Sequence, residues 1–162
     1  MSIYLYSGTP GSGKSYHATN DVVDALTRGR NVIANFPVDI DSLKRKRKKM
    51  GLFRYVSSFD LSVQYLVDFA KQHHKRNMKT QTLLVIDECG MIFNCRQWEN
   101  KDRQNWIQFF STHRHLNYDV ILISQSDRLI DRQIRAFIEM EYKHRAMKNY
   151  MFFGKLLSAL SG

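Results

Sequence analysis

Cysteine, proline and glycine are scarce: 2 Cys, 2 Pro and 8 Gly in 162 residues. That excludes a collagen-like chain and a disulfide scaffold. The two cysteines, Cys89 and Cys95, form no C-x-x-C pair, which fits a reducing, cytoplasmic environment. Long apolar runs are missing too. A membrane helix needs about 18–20 continuous apolar residues, whereas the run Met151–Leu160 is broken by Gly154 and Lys155. Met1 leads directly into a strand-like segment without the charged n-region or the cleavage site of a signal peptide. There is no internal repeat, and the only low-complexity segment is a run of cations. With 43% hydrophobic and 25% charged residues, the composition is that of a globular protein rather than a disordered one. Residues 1–162 are expected to form one domain.

The balance of charge is the unusual feature. Twenty-five Lys and Arg stand against fifteen Asp and Glu, a net charge of +10. Six of the cations are consecutive, Lys44-Arg45-Lys46-Arg47-Lys48-Lys49, and without them the net charge falls to +4. Such a run suits a polyanionic partner, nucleic acid or an anionic membrane surface, or remains a solvated loop. If all six met nucleic-acid phosphates, affinity would fall about 10³-fold between ~50 and ~200 mM salt.

Apolar periodicity predicts alternating strands and helices. Ser2–Ser7, Asn31–Phe36, Phe53–Val56, Thr82–Asp87 and Asp119–Ser124 read as strands. The fourth and fifth are unbroken apolar runs, as expected of strands buried on both faces. Helices are predicted from about Gly13 to Arg28, from an Asp60 cap to about Arg76, and over Lys101–Leu116, the last burying Trp106, Ile107, Phe109 and Phe110. Residues 94–99 read as part of a loop, Asp127–Phe137 as helical or turn-like, and Glu139–His144 with Tyr150–Phe153 as a terminal hairpin. The alternation implies a three-layer α/β fold around a mostly parallel sheet.

Chemistry enters with Gly8-Thr9-Pro10-Gly11-Ser12-Gly13-Lys14-Ser15, which matches G-x-x-x-x-G-K-[ST] between a strand and a helix. Glycines let backbone amides converge on phosphate oxygens, and the helix N-terminus adds partial positive charge. Residues Gly8 to Ser15, with Tyr16 behind them, are the expected ATP cradle. Lys14 would reach the β- and γ-phosphates and Ser15 would ligate Mg²⁺.

The strand Leu83–Ile86 runs into Asp87-Glu88. Parallel strands deliver their C-terminal ends to one edge, so both carboxylates are expected beside the phosphate loop. Asp87 suits the Mg²⁺ shell and Glu88 suits a general base for water. An acid directly after the metal-holding aspartate favours hydrolysis over transfer to a hydroxyl. Gln125 ends the next apolar strand and can sense the γ-phosphate or orient water. Arg114, just before that strand, can act as a finger across a subunit interface, with Arg128 and Arg132 as alternatives. His73-His74 and His113-x-His115 lack the spacing of a helical metal pair. Cys89 reads as a small buried thiol.

The segment Leu83–Asp102, with Asp-Glu-Cys-Gly at 87–90, Phe93-Asn94, Arg96 and Trp98, resembles the assembly ATPases of filamentous bacteriophages, the zonula occludens toxin (Zot) family. The likeness continues through Arg114, the strand to Gln125 and Asp131, and at the front takes in Tyr4–Ser15 and Asn31–Phe36. It covers roughly residues 2–145. The resemblance implies a motor-type P-loop ATPase in which the Asp119–Gln125 strand lies between the phosphate-loop strand and the Asp87 strand. It also implies a homo-oligomeric ring with an arginine from a neighbour, Arg114 being the best match. Family members sit on the cytoplasmic side of the host inner membrane and drive assembly and extrusion of a virion carrying circular single-stranded DNA. Virion components, single-stranded DNA and an export channel are the partners so implied. Family members also carry a membrane helix and a periplasmic portion, for which these residues show no pattern.

Three other readings remain: a DNA-packaging or translocating ATPase, a small nucleotide or metabolite kinase, and an adaptor that binds nucleotide without turnover. Asp87-Glu88 and the lack of an Arg-rich lid argue against the kinase.

Overall fold

The computed structural model describes residues 1–44, 50–75, 78–93 and 100–145. Within them six strands form one sheet: β1 (Ile3–Gly8), β2 (Asn31–Ala34), β3 (Phe53–Tyr55), β4 (Thr82–Ile86), β5 (Tyr118–Ser124) and β6 (Met140–His144). Their order is β3-β2-β4-β5-β1-β6, and every pairing is parallel. The helices are α1 (Lys14–Thr27), α2 (Asp41–Lys44), α3 (Val63–His73), α4 (Cys89–Ile92), α5 (Asn100–Thr112) and α6 (Arg132–Arg135).

The strands alternate their side chains between two cores, the consequence of a two-residue period. Ile33, Leu84, Ile86, Val120 and Leu122 pack on one face against Leu66 and Phe69 of α3 and Trp106, Phe109 and Phe110 of α5. Val32, Leu83, Val85, Ile121 and Ile123 pack on the other against Ala18, Val22, Ala25 and Leu26 of α1. Both faces are covered, which is why β4 and β5 carry no polar alternation. The strand inserted between β1 and β4 is β5, as the family resemblance implied. All six strands end at the same edge of the sheet, so β1, β2, β4, β5 and β6 each deliver their next residue there.

Several local expectations are corrected. The Glu139–His144 segment is a strand, but it pairs in parallel with β1; its expected hairpin partner, Tyr150–Phe153, lies outside the described residues. The cap of α3 is Ser62, whose hydroxyl accepts from the Tyr65 amide at 3.2 Å. Asp60 is taken instead by a turn in which it accepts from the Ser57 hydroxyl at 2.6 Å. The stretch after Glu88 opens with a helical turn, α4, because Cys89 and Phe93 are drawn into the core. α5 ends at Thr112 rather than near Leu116, since residues 113–117 turn tightly to re-enter the sheet and Asn117 takes φ 60. The cations 45–49 and the loop 94–99 lie outside the described residues. No helix among the described residues is long and apolar enough to cross a membrane.

Asp131 ties α5 to α6. It is 3% exposed, caps α6 by accepting from the Gln133 amide at 2.8 Å, and pairs with Arg103 at 3.1 Å. Burial alone would raise its carboxyl, but the bonds from Arg103 and Gln133 outweigh it and hold the group below the usual range. A folded value below the unfolded one, about 3.9, stabilises above that pH, and the gain is lost as pH falls through the folded value. Asp131→Asn is expected to cost about 1–3 kcal/mol at pH 7. The gap in urea midpoint between variant and wild type should shrink towards pH 2.

Candidate functional site

The phosphate loop leaves the sheet at Gly8. A Cβ there would lie 2.2 Å from the His144 carbonyl oxygen, so the close approach of β6 demands glycine. Gly13 has φ 90, a left-handed turn that swings the chain into α1, and gives the helix no side-chain cap. The first-turn amides of α1 therefore lack the usual capping acceptor. Lys14 is 7% exposed, and its ammonium donates to the carbonyls of Gly8 at 2.7 Å and Thr9 at 3.1 Å. An ammonium carries three protons, so one remains for an anion. Ser12 Oγ is buried without a hydrogen-bond partner, another polar group that a ligand can complete. This donor set fits a polyphosphate.

The acidic strand end meets the loop directly. The Ser15 hydroxyl donates to Asp87 Oδ2 at 3.0 Å, and Asp87 Oδ1 accepts from the Glu88 amide at 2.8 Å. A hydroxyl and a carboxylate in contact supply hard oxygen ligands of the kind Mg²⁺ takes, so the pair fits that ion. Glu88 follows with φ 48, a left-handed conformation unusual for a side-chain-bearing residue. It is exposed and lines a cavity of ≈ 670 Å³ together with Phe59, Met91 and Trp106, a cavity that no phosphate-loop residue lines. Cys89 beside it is fully buried; burial, then the charges of Asp87 and Glu88, push its thiol up. It stays a neutral thiol packed in the core.

Gln125 leaves the end of β5 and lines a second cavity, ≈ 510 Å³, with Gly8, Thr9, Lys143, His144 and Arg145. Thus Gly8–Ser15, Asp87, Glu88 and Gln125 share one edge. Arg128 and Arg132 follow β5 and are exposed. Arg114 precedes β5 and lies at the opposite edge, where it pairs with Glu139 ahead of β6. Its hydrogen bond holds the Glu139 carboxyl below the usual range. Tyr16 is 75% exposed on the first turn of α1. The histidines at 74 and 113 serve the fold: His74 bridges the Leu116 carbonyl and the Thr82 hydroxyl, and His113 bonds the Phe110 carbonyl.

Two contributors escaped the sequence reading. The end of β6 brings Lys143, His144 and Arg145 to the Gln125 cavity, which required knowing that β6 pairs with β1. Asn35, at the end of β2, bonds the main chain of Asp87. The signal for it was available: a polar residue ending a buried parallel strand, as at Gln125.

Comparison with known proteins places the chain in a family. Residues 2–153 match the family described as Zonular occludens toxin (Zot). The chain belongs to the Zot family. Among curated relatives, the Gene 1 protein of Escherichia phage If1 is 30% identical over all of this chain and 47% of its own length. The chain thus spans about half the length of the curated relatives it matches. Among solved structures, the N-terminal domain of zonular occludens toxin from Neisseria meningitidis aligns with TM-score 0.55 and 22% identity, over 88% of this chain and 75% of that one. The DNA-packaging ATPase B204 of Sulfolobus turreted icosahedral virus aligns with TM-score 0.63 and 18% identity, over 95% and 81%. At that identity the likeness is one of fold, and the fold of this Zot-family chain is that of a P-loop NTPase.

Proposed function

We propose that this chain is the ATP-hydrolysing motor domain that powers assembly and extrusion of filamentous phage virions. The observation that carries the reading is the contact between Ser15 of the phosphate loop and Asp87 of the acidic strand end, 3.0 Å across a sequence separation of 72 residues. It joins a phosphate cradle to a carboxylate pair at one sheet edge.

The roles follow from chemistry. The loop amides and Lys14 bind and orient the triphosphate. Ser15 and Asp87 would hold Mg²⁺, which when bound supplies positive charge to the β- and γ-phosphate oxygens. Glu88 takes a proton from water as the water oxygen bonds to the γ-phosphorus and the bond to the β-phosphate oxygen breaks, releasing ADP and phosphate. Gln125 holds the γ-phosphate or the water. Arg114 completes the site of a neighbouring copy in a ring. The domain works on the cytoplasmic face of the host inner membrane, with virion components or single-stranded DNA as its load, and the cations 44–49 meet nucleic acid or anionic lipid.

The test is phosphate release from Mg·ATP. The expected result is equimolar ADP and inorganic phosphate with no phosphorylated acceptor. Nucleotide binding without turnover would select the adaptor reading, and transfer to a hydroxyl acceptor the kinase reading. Salt-sensitive stimulation by DNA would favour a translocating ATPase.

A further inference from the structure

Asn35 occupies a place that the phosphate loop and the acidic pair do not account for. The ladder between β2 and β4 ends at Ala34 and Val85. Beyond it, on the β2 side, the amide and carbonyl of Asp87 meet the Asn35 side chain in place of a further ladder residue. Asn35 Oδ1 accepts from the Asp87 amide at 2.6 Å, and Asn35 Nδ2 donates to the Asp87 carbonyl at 2.9 Å. The same Nδ2 reaches the Ser58 hydroxyl at 2.8 Å. A carboxamide offers an acceptor and a donor side by side, as a peptide group does. The fixed order of amide and carbonyl on Asp87 also fixes which way the carboxamide points.

The clamp acts where the site changes from strand to chemistry. One residue carries the carboxylate that meets Ser15, and the next turns into the left-handed region to present Glu88. Without Asn35, the Asp87 main chain would be unpaired on its β2 side, and only β5 would flank this turn. Partners that hold a metal-ligating carboxylate in place commonly control affinity or activity by about 10–100-fold.

We propose that Asn35 is a positioning residue for the hydrolytic site: by clamping the main chain of Asp87 it aims that carboxylate at Ser15 and sets the turn that presents Glu88. This rests on the site reading given under Proposed function. It assigns Asn35 no contact with nucleotide or water; the residue acts through Asp87.

The experiment compares wild type with Asn35→Ala and with Asn35→Leu, which keeps the branched outline but removes both polar atoms. Folding is checked by circular dichroism and thermal midpoint. A fluorescent ATP analogue is titrated with and without Mg²⁺, and phosphate release is followed separately. The expected result is a ~10–100-fold rise in the Mg²⁺ concentration that half-saturates tight analogue binding, with Mg²⁺-free binding unchanged. The value of kcat should fall in parallel. A folded variant with the wild-type Mg²⁺ requirement overturns the proposal, as does an equal loss of binding with and without Mg²⁺, which would mean general collapse of the site. A wild-type requirement for no Mg²⁺ at all overturns it too. If wild type binds Mg·nucleotide but releases no phosphate, the hydrolytic reading fails, and the clamp is judged on the Mg²⁺ titration alone.

Discussion

Glu88→Gln is expected to lower kcat for ATP hydrolysis by about 10²–10⁴-fold, the span attributed to a positioned general base. The binding of Mg·ATP should stay close to wild type. The substitution keeps the size of the side chain and removes its negative charge and its ability to take a proton. Glu88 lies next to Asp87, yet its side chain is placed differently: Asp87 meets Ser15, whereas Glu88 is exposed and lines the cavity beside Phe59, Met91 and Trp106. Asp87→Asn should behave differently, weakening the Mg²⁺ dependence of binding as well as turnover. Phosphate release and analogue binding, measured on the same samples, separate the two. Full activity in Glu88→Gln would remove the residue from the reaction and return Gln125 or a main-chain group as the water-orienting element.

How much of this was legible in the sequence depends on distance along the chain. The phosphate loop is local: eight consecutive residues specify its turn, its ammonium and its hydroxyl. β4 and β5 were legible because burial on both faces leaves an unbroken apolar run. β6 was legible as a strand but not in its pairing. Its residues Met140-Glu141-Tyr142-Lys143-His144 are mostly exposed, and its partner β1 lies more than 130 residues away. The proximity of Lys143, His144 and Arg145 to Gly8 follows only from that pairing. Asn35 reads locally as part of a strand; its bonds to Asp87 join residues 52 apart in the sequence. The cap of α3 failed for a different reason, since Asp60 and Ser62 are both good capping residues and the Ser57–Asp60 turn claims the first. The opposite-edge placement of Arg114 is implicit in topology, because a residue before a parallel strand lies at the far end from the residue after it.

That placement makes Arg114 the sharpest test of a shared site. β5 has seven residues, so at about 3.3 Å each Arg114 lies roughly 20 Å from the edge that carries its own phosphate loop. Its side chain is too far from that loop to serve it, so a role for Arg114 in hydrolysis would be at a neighbour's site. Its pairing with Glu139 is no obstacle: the two side chains are 58% and 38% exposed, and exposed pairs of this kind contribute only about 0–1 kcal/mol. If Arg114 is a finger in a ring of copies, Arg114→Ala should lower turnover by about 10³–10⁵-fold with little change in thermal midpoint. Specific activity of wild type should climb with protein concentration. Mixing Arg114→Ala with Glu88→Gln, each inactive alone, should restore phosphate release, because a site built from the first variant's Glu88 and the second variant's Arg114 is complete. A dead mixture of folded, associating subunits, or wild-type turnover in Arg114→Ala, would rule this residue out. The assignment would then pass to Arg128 and Arg132, which follow the C-terminal end of β5. An arginine acting there within one chain predicts activity per subunit that is flat with concentration, because no neighbour is needed to complete the charge around the γ-phosphate.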